Sequence, residues 1–294
     1  MAAFRSPRDK ALGLALVLPA LAVFLLFTYY PFFKNFQLGL YRAAPYPTLP
    51  NTYVGVSQFT TMLHSPQFWD SIRATGLFVL FTVPLGVFGG LVMAVIAHQK
   101  LKGMRVYRTI FSSTVVSSAA VAAVIFQTLL SPVTGYLPAL GLHVPDVSSS
   151  ATWAMPMVSL VSAWQFVGLA FIILTAGMQS LPDEVLEASY VDGASAWTRL
   201  WKVTIPLLSP TIFFTIVVGV IFGLNSFGQI DIMVGAGNSA FTHTNVLIYY
   251  IYQLIHVQAN PGLAACYSIA LFVVTLLVTL LQFRLLERRV HYGN

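Results

Sequence analysis

Between two long apolar runs the chain reads Leu181-Pro-Asp-Glu-Val-Leu-Glu-Ala-Ser-Tyr-Val-Asp-Gly-Ala-Ser-Ala-Trp-Thr-Arg-Leu-Trp-Lys-Val-Thr-Ile-Pro206. The stretch holds Asp183, Glu184, Glu187 and Asp192, four of the nine acidic residues in the chain. Acidic residues directly after Leu181-Pro182 suit a helix start, because proline gives up no hydrogen bond there and a carboxylate meets the positive end of the helix dipole. Val185, Leu186, Ala188 and Val191 then share one face at helical spacing. Asp192-Gly193 ends this helix, since glycine enters the left-handed backbone region without steric penalty. A second short helix is expected over Ser195 to Val203, with Trp197, Leu200 and Trp201 opposite Arg199 and Lys202, and Pro206 closing the loop. Two such helices, with tryptophans able to sit at lipid headgroups, make either a protruding knob for a partner or a plain interfacial loop.

What surrounds this loop is unlike a soluble protein. Hydrophobic residues make up 57% of the sequence and charged residues 8%, against roughly 25% charged in soluble domains. A mean hydropathy of +0.79 makes lipid the solvent. Six apolar stretches of spanning length lie at Ala11 to Tyr30, Thr75 to Ala97, Ile110 to Leu130, Ala154 to Met178, Leu207 to Ile230 and Ala264 to Phe283. The first follows Arg5, Arg8 and Lys10 like a signal peptide. Its apolar run is too long for one, and bulky Thr28-Tyr29-Tyr30-Pro31-Phe32-Phe33 stands where a small-residue cleavage site belongs. It reads as a retained helix.

The positions of the basic residues set the orientation. With the N-terminus cytoplasmic, Arg5, Arg8, Lys10, Lys100, Lys102, Arg105, Arg108, Arg199, Lys202, Arg284, Arg288 and Arg289 fall inside, 12 of the 15 lysines and arginines. Only Lys34, Arg42 and Arg73 fall outside. This positive-inside bias puts both termini and the Leu181–Pro206 loop in the cytoplasm. It also accounts for the net charge of +6 without nucleic acid. The expected fold is all-α: a polytopic membrane protein of about six transmembrane helices, one domain over 1–294, with a cytoplasmic helix-turn-helix at about 181–206.

Smaller features read as packing. Gly86 and Gly90 have GxxxG spacing, and Ser112 to Ala123 is rich in small residues that let backbones approach in lipid. Pro84 would kink the second run. Cys266, the single cysteine, reads as a small buried hydrophobe and rules out a disulfide framework or Cys-based metal site. The outer Lys34 to Arg73 segment, with Pro45, Pro47 and Pro50, ends in an amphipathic stretch from Phe59 to Ile72. It is either a surface for an external partner or a connector.

Glu187-Ala188-Ser189, Gly193 and then Val203-Thr204-Ile205-Pro206 resemble the EAA motif of ABC importer permeases, which runs Glu-Ala-Ala, three residues, Gly, nine residues, Ile-x-Leu-Pro. Ser189, Val203 and Ile205 are conservative departures. The run through Asp192-Gly193-Ala194 to Pro206-Leu-Leu-Ser-Pro210 is similar to the carbohydrate-importer branch. Tyr53-Val-Gly-Val56, Phe68-Trp69, Thr75, Trp164, Ala176-Gly-Met-Gln179 and Thr244 to Tyr252 fit the same branch. Gln58 and Ala74 stand in place of its usual asparagines, and Gly235-Ala-Gly237 in place of Gly-Gly-Pro. The C-terminal Gln282-Phe283-Arg284, Glu287, Val290 and Tyr292 most resemble the first permease of glycerol-3-phosphate and related oligosaccharide importers.

The resemblance implies a bacterial inner-membrane permease, paired with a second, similar permease, two cytoplasmic ATPase subunits and an extracellular or periplasmic solute-binding protein. It implies that the loop is a coupling helix: Glu187 the charge partner of a basic residue on the ATPase, Gly193 the turn, and Ala188 and Ala194 small contact positions beside Ser189, Asp192 and Pro206. The chain has no GxxxxGK[ST] phosphate loop, so ATP and Mg belong to the partner, and the chain itself is not expected to be an enzyme or to hold a cofactor. Polar residues at membrane depth face a path or a neighbouring helix, since lipid exposure is costly. Candidates are Gln127, Gln165, Asn225 and Gln229, with Trp164, Phe222 and Phe227 as stacking surfaces. No cationic residue lies deep in a span, which favours a neutral sugar or polyol, whereas the C-terminal resemblance favours a glycerol phosphate. A secondary transporter or channel would need ion-coupling charges inside the membrane, and a membrane enzyme a nucleophile with its base at membrane depth.

Overall fold

The computed structural model describes residues 7–44, 50–99, 102–147, 149–235 and 237–286. Arg5, Pro45, Pro47, Lys100, Glu287, Arg288, Arg289, Val290 and Tyr292, all used in the sequence reading, lie outside the described residues. Among the described residues, five helices are long and apolar enough to cross a membrane: Ala11–Gly39, Pro66–His98, Ala154–Gln179, Ala196–Asn225 and Pro261–Leu285. A sixth crossing is made if Met104–Val116 and Ala119–Leu130 count as one span, but these two are bent by 104°. In chain order these are the first to sixth spans, the bent pair being the third. Among the described residues the chain is all-α apart from one two-residue strand pair.

The first span runs on to Gly39 and the second begins at Pro66, nine residues before the expected Thr75; three further differences from the sequence reading have a local reason. The third span is not straight. Ser117 and Ser118 are extended, with ψ of 127° and 155°, and Ser118 Oγ accepts from the Val121 backbone N–H at 3.2 Å. A serine N-cap thus starts a new helix inside an apolar run. The fifth span ends at Asn225 rather than Ile230: Ser226 is extended and a separate helix, Gly228–Met233, follows. The expected second loop helix is not separate either. It starts at Ala196, with Ser195 capping the Thr198 N–H at 3.2 Å, and continues through a π-helical stretch, Leu200–Thr204, into Ile205–Asn225. Pro206 does not end a helix: it directly follows the π-helical stretch Leu200–Thr204, and the backbone stays helical on both sides of it, a local adjustment of the kind that accommodates proline within membrane helices.

By its contacts the chain divides into two compact units. One comprises residues within 1–65 and 251–270. Here Tyr41–Arg42 pairs antiparallel with Thr52–Tyr53, followed by a short helix, Ser57–His64. The buried Gln58 amide donates to the carbonyls of Gly39, at 3.1 Å, and Tyr41, at 3.0 Å. One residue thus satisfies two acceptors freed where the first helix ends. Cys266 is fully buried here, as expected for a small hydrophobe.

The other unit comprises residues within 66–250 and 271–294. Its centre is the packing of the second span on the fourth. Apolar burial drives no association between helices in lipid, so close backbone approach has to supply it. A Cβ on Gly86 would fall 2.5 Å from Phe166 Cδ1, and one on Gly90 2.5 Å from the Ala170 Cβ. The GxxxG pair is therefore a helix-packing face. Phe166 also rests on Gly219 of the fifth span and stacks on Phe222 with ring centroids 5.3 Å apart. Val83, Val87, Phe171, Leu174, Leu208, Val220 and Leu224 fill out this core.

Candidate functional site

The loop between the fourth and fifth spans forms the expected first helix, Asp183–Val191, with Pro182 extended before it. Its end is a hydrogen-bonded turn. The N–H groups of Asp192, Gly193 and Ala194 donate to the carbonyls of Ala188, Tyr190 and Ser189 at 3.0, 3.1 and 3.1 Å. Gly193 has φ of +70° and its absent Cβ would meet nothing within 4 Å. Backbone conformation, not crowding, requires glycine there. Ser189 is buried and its hydroxyl donates to the Leu186 carbonyl at 2.6 Å, so the serine that departs from the family alanine is satisfied locally.

The outer surface of the loop is uncovered. Val191 is 88% exposed, Trp197 69% and Tyr190 63%. Ala188, Asp192 and Glu187 are exposed, while Ala194 and Pro206 are half-buried. Among the described residues the Glu187 carboxylate has no hydrogen bond or ion pair. It lines an open cleft of about 820 Å³ together with Leu186, Tyr190, Trp197 and Arg199. The Arg199 guanidinium lies 3.6 Å from the centre of the Tyr190 ring, a cation–π contact that braces the two arms of the turn. The arrangement offers a carboxylate and an apolar surface on a rigid turn, the elements of a docking site for a basic, partly apolar partner.

A second set of candidates comes together at the two helix breaks. The Ser117 carbonyl, freed at the break in the third span, accepts from Gln165 Nε2 at 2.6 Å. Gln165 Oε1 accepts from Gln229 Nε2 at 2.7 Å, just past the break after the fifth span. Gln229 is 1% exposed, and its own Oε1 is buried without a partner. Polar backbone inside a membrane is tolerated where it lines a cavity or is satisfied by side chains; here Gln165 satisfies the Ser117 carbonyl, and Gln229, bonded to Gln165, leaves one acceptor spare.

The other candidates stand around this seam in different roles. Trp164 packs edge-on against Phe126 at 5.3 Å. Phe227 stacks on Tyr249 at 6.2 Å. Gln127 reaches the Ile232 carbonyl at 3.3 Å. Asn225 is exposed and bonds the Ile221 carbonyl of its own helix at 2.8 Å, so it does not join the glutamine chain, and Phe222 belongs to the packed core. The sequence reading missed Ser117, for which the Ser117-Ser118 pair was the available signal. It also missed Asp231, whose carboxylate accepts from the Tyr249 hydroxyl at 2.7 Å. Asp231 was one residue beyond the expected end of the fifth apolar run.

The family described as the binding-protein-dependent transport system inner membrane component matches residues 86–292. The chain belongs to this family. The match takes in the loop and both helix breaks. Similar proteins include the sn-glycerol-3-phosphate transport system permease protein UgpA of Agrobacterium fabrum, 30% identical over 289 residues that cover 97% of this chain and 98% of the relative. The protein of the same name from Rhizobium meliloti is 29% identical over 290 residues, with the same coverage. Among solved structures, a chain of a bacterial alginate ABC transporter in complex with an alginate pentasaccharide-bound periplasmic protein matches with a TM-score of 0.80 and 25% identity, over 98% of this chain and 97% of that one. As a member of the family, the chain is a multi-pass inner-membrane permease component of a binding-protein-dependent transport system.

Proposed function

We propose that the chain, as one transmembrane domain over 1–294, is a permease subunit of an ATP-driven importer for a sugar, oligosaccharide or glycerol phosphate. It pairs with a second, similar permease, and a solute-binding protein delivers the solute. Two copies of a cytoplasmic ATPase supply the energy. The observation that carries this reading is the uncovered loop, with an unpaired Glu187 beside exposed Tyr190, Val191 and Trp197. An exposed apolar patch of this kind marks an interaction surface. Its end of the bundle is cytoplasmic in this reading, with both termini on the same side, as the bias of basic residues requires.

In the same reading the glutamine seam is the solute path. Gln165 and Gln229 present amide groups to hydroxyls, and Trp164 and Phe227 present ring faces to a sugar. The relatives named for sn-glycerol-3-phosphate and the alginate transporter support the solute class without choosing within it. The experiment is copurification of the tagged chain with its subunits, followed by ATP hydrolysis with and without solute-loaded binding protein. Copurification of an ATPase whose turnover rises with loaded binding protein is expected. Uptake that continues without any copurifying ATPase, driven by an ion gradient, would contradict the reading and point to a secondary transporter.

A further inference from the structure

Arg105 and Arg108 enter the sequence reading only as orientation signals, yet the structure gives them a common cleft. It has a volume of about 670 Å³ and is lined by His98, Arg105, Arg108, Thr109, Thr175 and Gln179, among others, with no acidic residue in its wall among the described residues. His98 also lines the loop cleft that holds Glu187, so the two clefts adjoin at one end of the unit.

Two polar groups in this wall are unsatisfied. Arg108 Nη2 donates to the Ala97 carbonyl at 2.7 Å, in the last turn of the second span, but its Nε is enclosed and has no partner. Thr175 is buried to all but 9%, and its Oγ1 also lacks a partner. Buried donors without acceptors are rare because desolvation goes uncompensated. Arg105 stands one turn before Arg108 and is exposed, and among the described residues its guanidinium makes no hydrogen bond or ion pair. The helix that carries them, Met104–Ser112, turns Tyr107 and Phe111 into the core and keeps both arginines on the cleft side.

We infer that this cleft binds a phosphate ester, held by Arg105 and Arg108 with the Thr175 hydroxyl as an additional donor. Two guanidinium groups on one helix and a hydroxyl on the fourth span line this one cleft, a set of donors that suits a tetrahedral group with several acceptor oxygens. Arginine's fork matches phosphate bidentately. The site sits where a span ends, and basic pockets between helices at that level take up lipid headgroups. A solute phosphate leaving the path has the same chemistry. The proposal rests on the transport reading only for the side of the membrane, since binding to the cleft is measured without transport.

The test uses the full-length chain with the subunits that copurify with it, in nanodiscs of phosphatidylcholine. One arm titrates phosphatidylglycerol and counts retained lipids by native mass spectrometry. The other measures binding of radiolabelled glycerol-3-phosphate. Arg105→Gln and Arg105→Gln/Arg108→Gln are compared with Lys34→Gln/Arg42→Gln, which removes as much charge elsewhere. Loss of one charge-assisted contact should weaken retention about tenfold in Arg105→Gln, with the control unchanged. Loss confined to the lipid identifies a headgroup, and loss confined to glycerol-3-phosphate identifies the solute. Arg105→Gln breaks no contact of the fold, so misfolding does not obscure the result. Retention of both probes equal to that of the control, in both arginine variants, would overturn the proposal.

Discussion

At the scale of the residue, Gly193 and Glu187 separate two kinds of necessity. Gly193 occupies open space at φ of +70°, so a substitution there is penalised by backbone conformation alone, about 1–2 kcal/mol for an ordinary L-residue. Gly193→Asn, which tolerates this region, should therefore keep more transport than Gly193→Ala, and Gly193→Val should keep least. Uptake rates at equal membrane abundance test the order. Equal activity of the valine and asparagine variants would mean that the turn is not needed. Glu187 is different, because among the described residues its carboxylate makes no hydrogen bond or ion pair. Glu187→Ala should leave expression unchanged but weaken retention of the ATPase, since loss of one member of a buried interfacial charge pair costs roughly 2–5 kcal/mol. In the proposed reading Gln229 lines the solute path, so Gln229→Ala should shift the transport KM or solute preference while the complex still assembles. Parallel loss of assembly and transport would make Gln229 a packing residue instead.

At the scale of the element, legibility depended on whether a signal was local and chemical or tertiary. Asp183–Val191 was readable because Pro182, the acidic first turn and Gly193 each act within a few residues. The continuity from Ala196 to Asn225 was not. Pro206 looks like a stop, yet the π-helical run of the backbone through Leu200–Thr204 carries the helix past it. The break at Ser117-Ser118 was obscured by composition, since serines among alanines also fit a smooth packing face. The glutamine seam was legible as residue types at depth but not as a chain, because Ser117, Gln165 and Gln229 come from three segments. The packing face itself predicts a clear failure. Gly90→Leu drives a side chain into Ala170 and the Phe171 backbone, with a Cβ that would already lie 2.5 Å from the Ala170 Cβ. This variant should lower the melting temperature and yield of the purified complex, whereas Gly237→Leu, where a Cβ meets nothing within 4 Å, should not. Equal stability of the two would deny that the second and fourth spans rely on close approach.

At the scale of the whole molecule, the charge bias predicts which end faces the cytoplasm, and the proposed coupling loop predicts what is done there. Single cysteines at Ser195 and Asn238 in a Cys266→Ala background should label oppositely with an impermeant thiol reagent on intact cells, Asn238→Cys from outside and Ser195→Cys only after permeabilisation. The reverse pattern would invert the topology. The central claim is that the Leu181–Pro206 loop couples this subunit to ATP hydrolysis. Its most direct measurement is the ATPase rate of the purified complex with and without solute-loaded binding protein, for the wild-type chain and for Glu187→Ala/Gly193→Val. The account predicts that the double variant inserts in the membrane normally but loses the stimulated rate, because its ATPase is either absent or unresponsive. A double variant whose stimulated hydrolysis and uptake match the wild type would contradict it.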